Sequence, residues 1–170
     1  MTHLSPMTEP AFADYLAFAI PDFARDKVQA SQWAEHESLE LSRTGYAEML
    51  PQGLATPDNF FYTVRDGATL ADIGMLWFAA QQRAGQRIAY VYDVYIRPEH
   101  QRKGHASRAF AELEVEARKH GLSGIALHVF GHNAGAQALY QQLGYVPTNI
   151  NMFKPLTSAA APRPTQTRQG

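Results

Sequence analysis

Two periodicities of apolar residues divide the chain into segments, and each periodicity indicates a different kind of element. Apolar residues recur every three or four positions, the spacing of an amphipathic helix, over about residues 9–30, 34–49, 105–120 and 134–143. Runs rich in β-branched and aromatic residues predict strands near residues 2–7, 60–65, 71–80, 87–96, 124–130 and 151–156. Because strands and helices alternate in the second half, we predict an α/β fold with a mixed central sheet and helices on both faces.

Proline and glycine residues mark the predicted boundaries between these elements. Pro21 lies inside the first helical segment, where it is expected to bend or split the helix. Asp66 and Gly67 are expected to join two strands as a hairpin. Residues 1–156 are expected to form one domain around one hydrophobic core. Residues 157–170, rich in proline and polar residues, are predicted to be disordered.

Composition and charge narrow the range of functions. The chain has no cysteine, which excludes a disulfide framework and a thiol nucleophile. Its formal net charge is −1 and its basic residues form no long run, so no nucleic-acid partner is expected. No apolar segment approaches the roughly 20 residues of a membrane span. The first residues also lack the pattern of a signal peptide, which favours a cytoplasmic protein with no membrane partner.

The chain has seven histidines, which raises the question of a metal site. His128 and His132 are four residues apart, but on a strand and the loop after it this spacing does not place them on one face. Cysteine, the other common ligand of structural zinc, is absent. No metal site is therefore predicted.

The strand that ends at Ile96 is followed by a polar turn and then by the start of an amphipathic helix. Gly104 precedes that helix, and Arg102 and Lys103 stand beside it. A helix N-terminus presents free backbone N–H groups and partial positive charge, and glycine has no Cβ to keep an anion away from them. A P-loop or a dinucleotide fingerprint would require glycines in an order that is not present. The turn therefore predicts a pyrophosphate site of another kind.

Two signatures point to a known family. Residues 101–106, Gln-Arg-Lys-Gly-His-Ala, resemble the acetyl-coenzyme A loop of the GNAT superfamily of N-acetyltransferases, Gln/Arg-x-x-Gly-x-Gly/Ala. Asn133 and residues 138–145, Ala-Leu-Tyr-Gln-Gln-Leu-Gly-Tyr, look like the second family signature. The resemblance is close over residues 87–156. It implies an acetyl-CoA-dependent N-acetyltransferase of the GNAT fold, in which two parallel strands splay apart and hold acetyl-CoA between them.

The resemblance implies roles for particular residues in binding acetyl-CoA. Its pyrophosphate would be bound by a loop made of Gln101, Arg102, Lys103, Gly104, His105, Ala106 and Ser107. The backbone of Val94, Tyr95 and Ile96 would pair with the pantetheine arm, and one N–H group there would stabilise the carbonyl oxygen of the thioester. The side chains of these three residues are expected in the core. Asn133 would contact the pantetheine arm, or cap the helix that it precedes, or do both.

Two residues are candidates for the chemistry. Tyr140 matches the family residue that protonates the departing thiolate, although its helical spacing alone would make it a core residue. Asp93 is the only carboxylate on the strand before the loop. It could act as the general base or make a structural hydrogen bond at an irregularity in the strand, and a chain of water molecules is the remaining option for the base. His100 and His105 are expected on the loop surface.

The acceptor is predicted to be a small-molecule or peptide amine. The helix that carries Glu35, Glu37, Glu40 and Glu48 would favour a cationic amine if it bordered the site; otherwise it is a solvated face. A homodimer is possible, because dimers are common in this superfamily. The alternative function is a non-catalytic acyl-CoA-binding or sensing module of the same fold, but a pure binder needs neither Tyr140 nor Asp93.

Overall fold

The computed structural model describes residues 1–154 and 156. The strands and α-helices follow one another as β1 Thr2–Pro6, α1 Glu9–Gln29, α2 Glu35–Met49, β2 Asn59–Asp66, β3 Asp72–Arg83, β4 Gln86–Ile96, α3 His105–Lys119, β5 Ile125–Leu127 and α4 Ala134–Gln142. Short 3₁₀ turns occur at residues 53–55 and 98–100. Pro155 and the predicted disordered tail, residues 157–170, lie outside the described residues.

The strands form one sheet in the order β1-β2-β3-β4-β5. Neighbours are antiparallel from β1 to β4, and β4 and β5 are parallel, so the predicted mixed sheet is confirmed. The parallel pairing is short, running from Ala89 opposite Ile125 to Val91 opposite Leu127. β4 continues for five residues beyond Val91, with β3 as its only strand neighbour among the described residues.

Helices cover both faces of the sheet because apolar side chains alternate along its central strands. On β3, Leu76 and Phe78 belong to the core on the α3 side, which includes Phe110. Met75 and Trp77 belong to the second core, under α1 and α2. The prediction of helices on both faces is therefore confirmed.

A β-bulge interrupts the pairing of β3 with β4. Phe78 pairs with Val91, but Trp77 pairs with Asp93, so Tyr92 is an extra residue on β4. Because successive side chains of a strand point to opposite faces, Asp93 would share the α3 face with Val91 in a regular strand. The extra residue places Asp93 on the face of Trp77 instead, toward α1 and α2.

Three sequence predictions about elements are wrong. The final strand near residues 151–156 is absent, since residues 146–154 form no strand and Phe153 is exposed. The strand predicted at 124–130 ends at Leu127, because beyond it Phe130 packs against Phe23 of α1 instead of pairing. The alternative that Pro21 splits the first helix is also wrong, since α1 runs unbroken from Glu9 to Gln29; next to the proline, Ser42 of α2 donates a hydrogen bond to the carbonyl oxygen of Ile20 at 2.7 Å.

The described helices differ from membrane-spanning helices. None of them combines the length and the apolar character that crossing a bilayer requires.

Candidate active site

The candidate site lies in the gap that opens where β4 and β5 part. Beyond Val91, the edge of β4 that faces β5 has no strand partner in the described part of the chain. Val94 packs against the α3-side core, Tyr95 packs on Phe18 of α1 with the two rings tilted and their centroids 4.6 Å apart, and Ile96 is buried. The side chains of residues 94–96 are therefore fixed in packing, as predicted, and backbone groups at this edge remain for an added strand-like ligand.

The turn after β4 has the shape of an anion site. Arg102 and Gly104 both adopt the left-handed conformation, with φ of 60° and 78°. Gly104 occupies the N-cap position of α3, where no side chain caps the helix. The first N–H groups of a 15-residue helix thus face outward without a side-chain acceptor, an arrangement that fits a pyrophosphate. Gln101 ties the turn to the strand by donating to the carbonyl oxygen of Ile96 at 2.8 Å.

The N-terminal end of α3 is also anchored to β1. His105 is buried, with Nδ1 3.0 Å from the hydroxyl of Thr2, and burial lowers the pKa of its imidazole. Arg108 donates to the same hydroxyl and to the carbonyl oxygen of Lys103. The prediction that His105 lies on the loop surface is wrong, because the first turn of α3 packs on β1; His100 is partly buried.

The other predicted loop residues are distributed between core and surface. Ala106 packs against the α3-side core, and Ser107 is partly buried in the first turn of α3. Lys103 is exposed and donates to the carbonyl oxygen of Glu99 at 2.7 Å. Side-chain charge and backbone N–H groups are therefore gathered at one end of α3.

Tyr140 contributes both to packing and to the gap. Its ring contacts Phe110 and Tyr145 edge-on, at centroid distances of 5.5 and 5.8 Å. The pKa of its phenol is raised to about 12, mainly by burial and in addition by the negative charge of Asp93. The Tyr140 phenol makes no hydrogen bond within the described residues. Every fully enclosed side-chain oxygen in that part of the chain has a hydrogen-bond partner, so the Tyr140 hydroxyl is accessible. The ring is part of the core, while the hydroxyl is free to meet a ligand.

Asn133 caps α4, the helix that carries Tyr140. Its Oδ1 accepts a hydrogen bond from the backbone N–H of Ala136 at 3.0 Å. This confirms the capping role; a contact with the pantetheine arm stays a prediction. The cap fixes the start of the helix and with it the direction in which Tyr140 points.

Replacement of Asn133 by alanine is expected to lower the free energy of unfolding by about 1 kcal/mol, because the N–H of Ala136 loses its acceptor. Chemical denaturation measures this. Asn133→Asp keeps an acceptor at the same place and should remain close to wild type; equal destabilisation by both substitutions would contradict the capping role.

Asp93 is the half-buried carboxylate that the bulge turns toward α1 and α2. The phenol of Tyr15 donates a hydrogen bond to its Oδ2 at 3.0 Å. The pKa of the Asp93 carboxyl is raised to about 6: burial is the largest cause, the negative charge of Asp22 adds to it, and the Tyr15 hydrogen bond acts in the opposite direction. The predicted structural hydrogen bond at a strand irregularity is therefore present. A carboxylate in this environment is also suited to accept protons near neutral pH.

The carboxylates around Asp93 come from α1, and the sequence analysis missed them. Asp22 and Asp26 both act electrostatically on Asp93. They lie seven and eleven residues after Tyr15, so all three share one helical face, and this spacing is the signal that could have revealed them. The glutamates proposed as an acidic border, at positions 35, 37, 40 and 48 of α2, are exposed on a solvated face.

The loop after β5 closes one side of the gap. His132 pairs with Asp26 at 3.0 Å, and Phe130 packs against Phe23 at 6.4 Å. Lys27 lies over the same Phe130 ring, 5.8 Å from its centroid. No group of three or more metal-ligating side chains occurs among residues 1–154 and 156, including around His128 and His132.

Comparisons with known proteins agree with this geometry. The sequence model of the Acetyltransferase (GNAT) family matches residues 25–145. The chain is 34% identical over 154 residues to the uncharacterized N-acetyltransferase YycN of Bacillus subtilis, which covers 90% of this chain and 97% of the relative. It is 33% identical over 153 residues to YdgE of the same organism, which has the same description, with the same coverage.

A solved structure of a similar protein extends the comparison to the fold. The crystal structure of the putative acetyltransferase YycN from Bacillus subtilis superimposes with a TM-score of 0.87 at 32% sequence identity. The superposition covers 93% of this chain and all of the other. The overall fold of this chain is therefore one that is already known from experiment.

Proposed function

Because this chain belongs to the GNAT family of acetyltransferases, we propose that it transfers the acetyl group of acetyl-CoA to a primary amine by direct attack while both substrates are bound. In this proposal Asp93 accepts the proton of the amine, and Tyr140 donates a hydrogen bond to the departing sulfur. The observation that carries the proposal is the half-buried Asp93 carboxylate beside the gap, within electrostatic range of the accessible Tyr140 phenol.

Acetyl-CoA is the cosubstrate of GNAT acetyltransferases, and the residues of this chain fit it. The N–H groups at the start of α3 and the backbone at Gly104 would hold the pyrophosphate, with Arg102 and Lys103 adding positive charge. The free edge of β4 at Val94–Ile96 would hold the pantetheine arm, and Asn133 would reach it from the start of α4. When bound, acetyl-CoA supplies a thioester whose carbonyl carbon the amine attacks, so that an N–C bond forms and the C–S bond breaks.

Asp93 solves the first problem of the reaction, which is that an amine is mostly protonated at neutral pH. With a pKa of about 6, Asp93 is ionised above that pH, yet it is a stronger base than an exposed aspartate, whose pKa is about 4. It accepts a proton from the ammonium group, which frees the nitrogen lone pair, and then releases that proton to solvent.

Tyr140 acts on the sulfur side of the same bond. Its phenol, with a pKa of about 12, stays protonated at every pH at which the protein works. A coenzyme A thiol has a pKa of about 8.5, so the phenol is the weaker acid and its main contribution is a hydrogen bond to the developing thiolate. The nitrogen loses its second proton as the amide forms, and the sulfur gains one proton as it leaves as a thiol, so the protons balance.

The charge around Asp93 favours a cationic acceptor. Asp22 and Asp26 of α1 add two carboxylates on the side of Asp93 that faces the helices, where each also has one basic partner, Arg25 and His132 respectively. An ammonium group is attracted to such a site, whereas a carboxylate-bearing acceptor would be repelled unless its charge lay elsewhere. The proposed acceptor is therefore a small-molecule or peptide amine that arrives with a positive charge.

The proposal is tested in two steps. Calorimetric titration with acetyl-CoA and with desulfo-CoA establishes binding at the loop, and both should bind, because the pyrophosphate contacts do not involve the sulfur. A panel of amines is then screened for thiol release and for the acetylated product by mass spectrometry. Binding of both ligands with no turnover of any amine in a broad panel would contradict the proposed transfer and would leave a binding module.

Replacement of Tyr140 by phenylalanine is expected to lower kcat by about 100-fold with little change in the affinity for acetyl-CoA, because only the contact with the sulfur is lost. Steady-state kinetics at saturating substrates measures this. Tyr145→Phe removes a hydroxyl from the same aromatic cluster and is the matched control. Full turnover by Tyr140→Phe, or an equal loss in both variants, would contradict the role of the Tyr140 phenol.

A further inference from the structure

We propose that Tyr15 is a positioning residue for this reaction: its buried phenol holds Oδ2 of Asp93 and so sets the pH above which Asp93 is ionised and can accept the proton of the amine. This inference rests on the proposed function, in which Asp93 accepts the proton of the amine. It concerns a contact between residues 78 positions apart in the chain.

The Tyr15 side chain has one well-defined position. It is only 5% exposed, and its ring packs against Phe12 and Phe61 at centroid distances of 6.4 Å each. Because α1 lies across the sheet at this point, the hydroxyl at the tip of the ring reaches Oδ2 of Asp93 at 3.0 Å. A phenol that is fixed by packing on both sides restricts the rotation of the carboxylate that it binds.

The Tyr15 phenol stabilises the ionised form of Asp93, whereas the nearby carboxylates destabilise it. The carboxylate faces Asp22 and Asp26 of α1, whose negative charges disfavour its ionised form. Tyr46 of α2 and Tyr140 of α4 are also within electrostatic range and are neutral at working pH. The Tyr15 hydrogen bond and the backbone N–H of Val94 favour the ionised carboxylate.

A purely structural tyrosine would have different consequences. If Tyr15 only filled space in the core, phenylalanine would replace it with a modest change in stability and no change in the titration of Asp93. If it positions and stabilises the carboxylate, loss of its hydroxyl must raise the pH at which Asp93 loses its proton. The pH dependence therefore separates the two roles.

The test compares Tyr15→Phe with Tyr62→Phe. Tyr62 also donates from a phenol to a carboxylate, that of Glu116 at 3.3 Å, but on the α3 side of the sheet. In wild type we expect kcat/KM to fall below about pH 6 as Asp93 is protonated. In Tyr15→Phe this acidic limb should move up by about one to two pH units, the size expected for one hydrogen bond to a charged group. Tyr62→Phe should leave it in place.

The same shift is expected without turnover. Carbon-13 NMR titration of the aspartate carboxyl groups, with Asp93 assigned by its absence in Asp93→Asn, should show the Asp93 midpoint move upward in Tyr15→Phe alone. The role of Tyr15 would be overturned if Asp93→Asn lost activity but Tyr15→Phe changed neither the NMR midpoint of Asp93 nor the acidic limb of kcat/KM. Full turnover in Asp93→Asn would instead overturn the proposed role of Asp93.

A variant that is too unstable to assay still decides the question. Tyr15→Phe leaves a half-buried charge without its side-chain donor, so much of its instability should disappear in Tyr15→Phe/Asp93→Asn, where no charge remains. Recovery of folding in the double variant supports the proposal. If Tyr15→Phe lowers the free energy of unfolding by the same amount in wild type and in Asp93→Asn, the proposal is overturned.

Discussion

Asp93→Asn is expected to lower kcat/KM for the amine by about 10²- to 10⁴-fold, the usual contribution of a general base. The asparagine keeps the size of the side chain and an oxygen for the Tyr15 hydrogen bond, but it cannot accept the ammonium proton. Affinity for acetyl-CoA should stay close to that of wild type, because Asp93 lies on β4, whereas the proposed anion site is at Gly104, at the start of α3. Steady-state kinetics and calorimetry measure the two quantities separately.

The same substitution should improve stability at neutral pH. The pKa of Asp93 is about 6 in the folded protein and about 4 in an unfolded chain, so the folded state binds the proton more tightly. For a carboxyl group with a raised pKa, stability is greatest when the group is protonated and falls as the pH rises between these two values. Asparagine is neutral throughout, so between about pH 4 and about pH 7.5 the difference in the free energy of unfolding should shift in favour of Asp93→Asn by about 2 kcal/mol.

Glu116→Gln is the matched control for both effects. Glu116 also accepts a hydrogen bond from a phenol, that of Tyr62, but it lies on α3, away from the gap. It should retain activity and show no comparable pH-dependent gain in stability. If Asp93→Asn kept full turnover, the base would be a water chain or another group. If its stability relative to wild type did not change with pH, Asp93 would not carry a raised pKa.

Gly104→Glu is expected to reduce the affinity for acetyl-CoA by about 100-fold or more. Gly104 has a φ of 78°, which side chains rarely adopt, and a Cβ there would lie 2.8 Å from the guanidinium of Arg108. A carboxylate at this position also repels the pyrophosphate and competes for the N–H groups of α3. Losing one or two charge-assisted hydrogen bonds accounts for a change of this size. Calorimetric titration with acetyl-CoA measures it.

Gly121 provides a control on the same helix. It follows the C-terminal end of α3 with a φ of 68°, and a Cβ there would meet nothing within 4 Å. Gly121→Glu therefore introduces the same backbone strain and the same charge without touching the turn. Equal loss of acetyl-CoA affinity in both variants would mean that Gly104→Glu acts through stability, and an unchanged affinity in Gly104→Glu would remove the anion site from this turn.

The sequence predicted the features that depend on neighbours along the chain. The turn at Gly104, helix α3 and the Asn133 cap all follow from residues within a few positions of one another, and these elements agree with their predicted extents within one or two residues. The family signatures then supplied the relation between β4 and β5, which local periodicity does not determine.

Features that depend on distant contacts were missed or wrong. Tyr15 meets Asp93 across 78 positions, and Thr2 meets His105 across 103, and no local pattern reports either contact. β5 ends at Leu127 because Phe130 packs on α1, which periodicity along one strand could not show. The bulge at Tyr92 is invisible to an alternation pattern, since an extra residue only looks like an irregular strand.

Because of the extra residue in β4, the position of the Asp93 side chain depends more on the number of residues in this part of the strand than on which residues they are. Deleting one residue between Val91 and Asp93 would restore regular pairing and would turn the carboxylate toward the α3 core, away from Tyr15. A point substitution at Tyr92, which is exposed, leaves the direction of Asp93 unchanged. During divergence of this lineage, insertions and deletions should therefore be rare in this short stretch and common in the turn between β3 and β4.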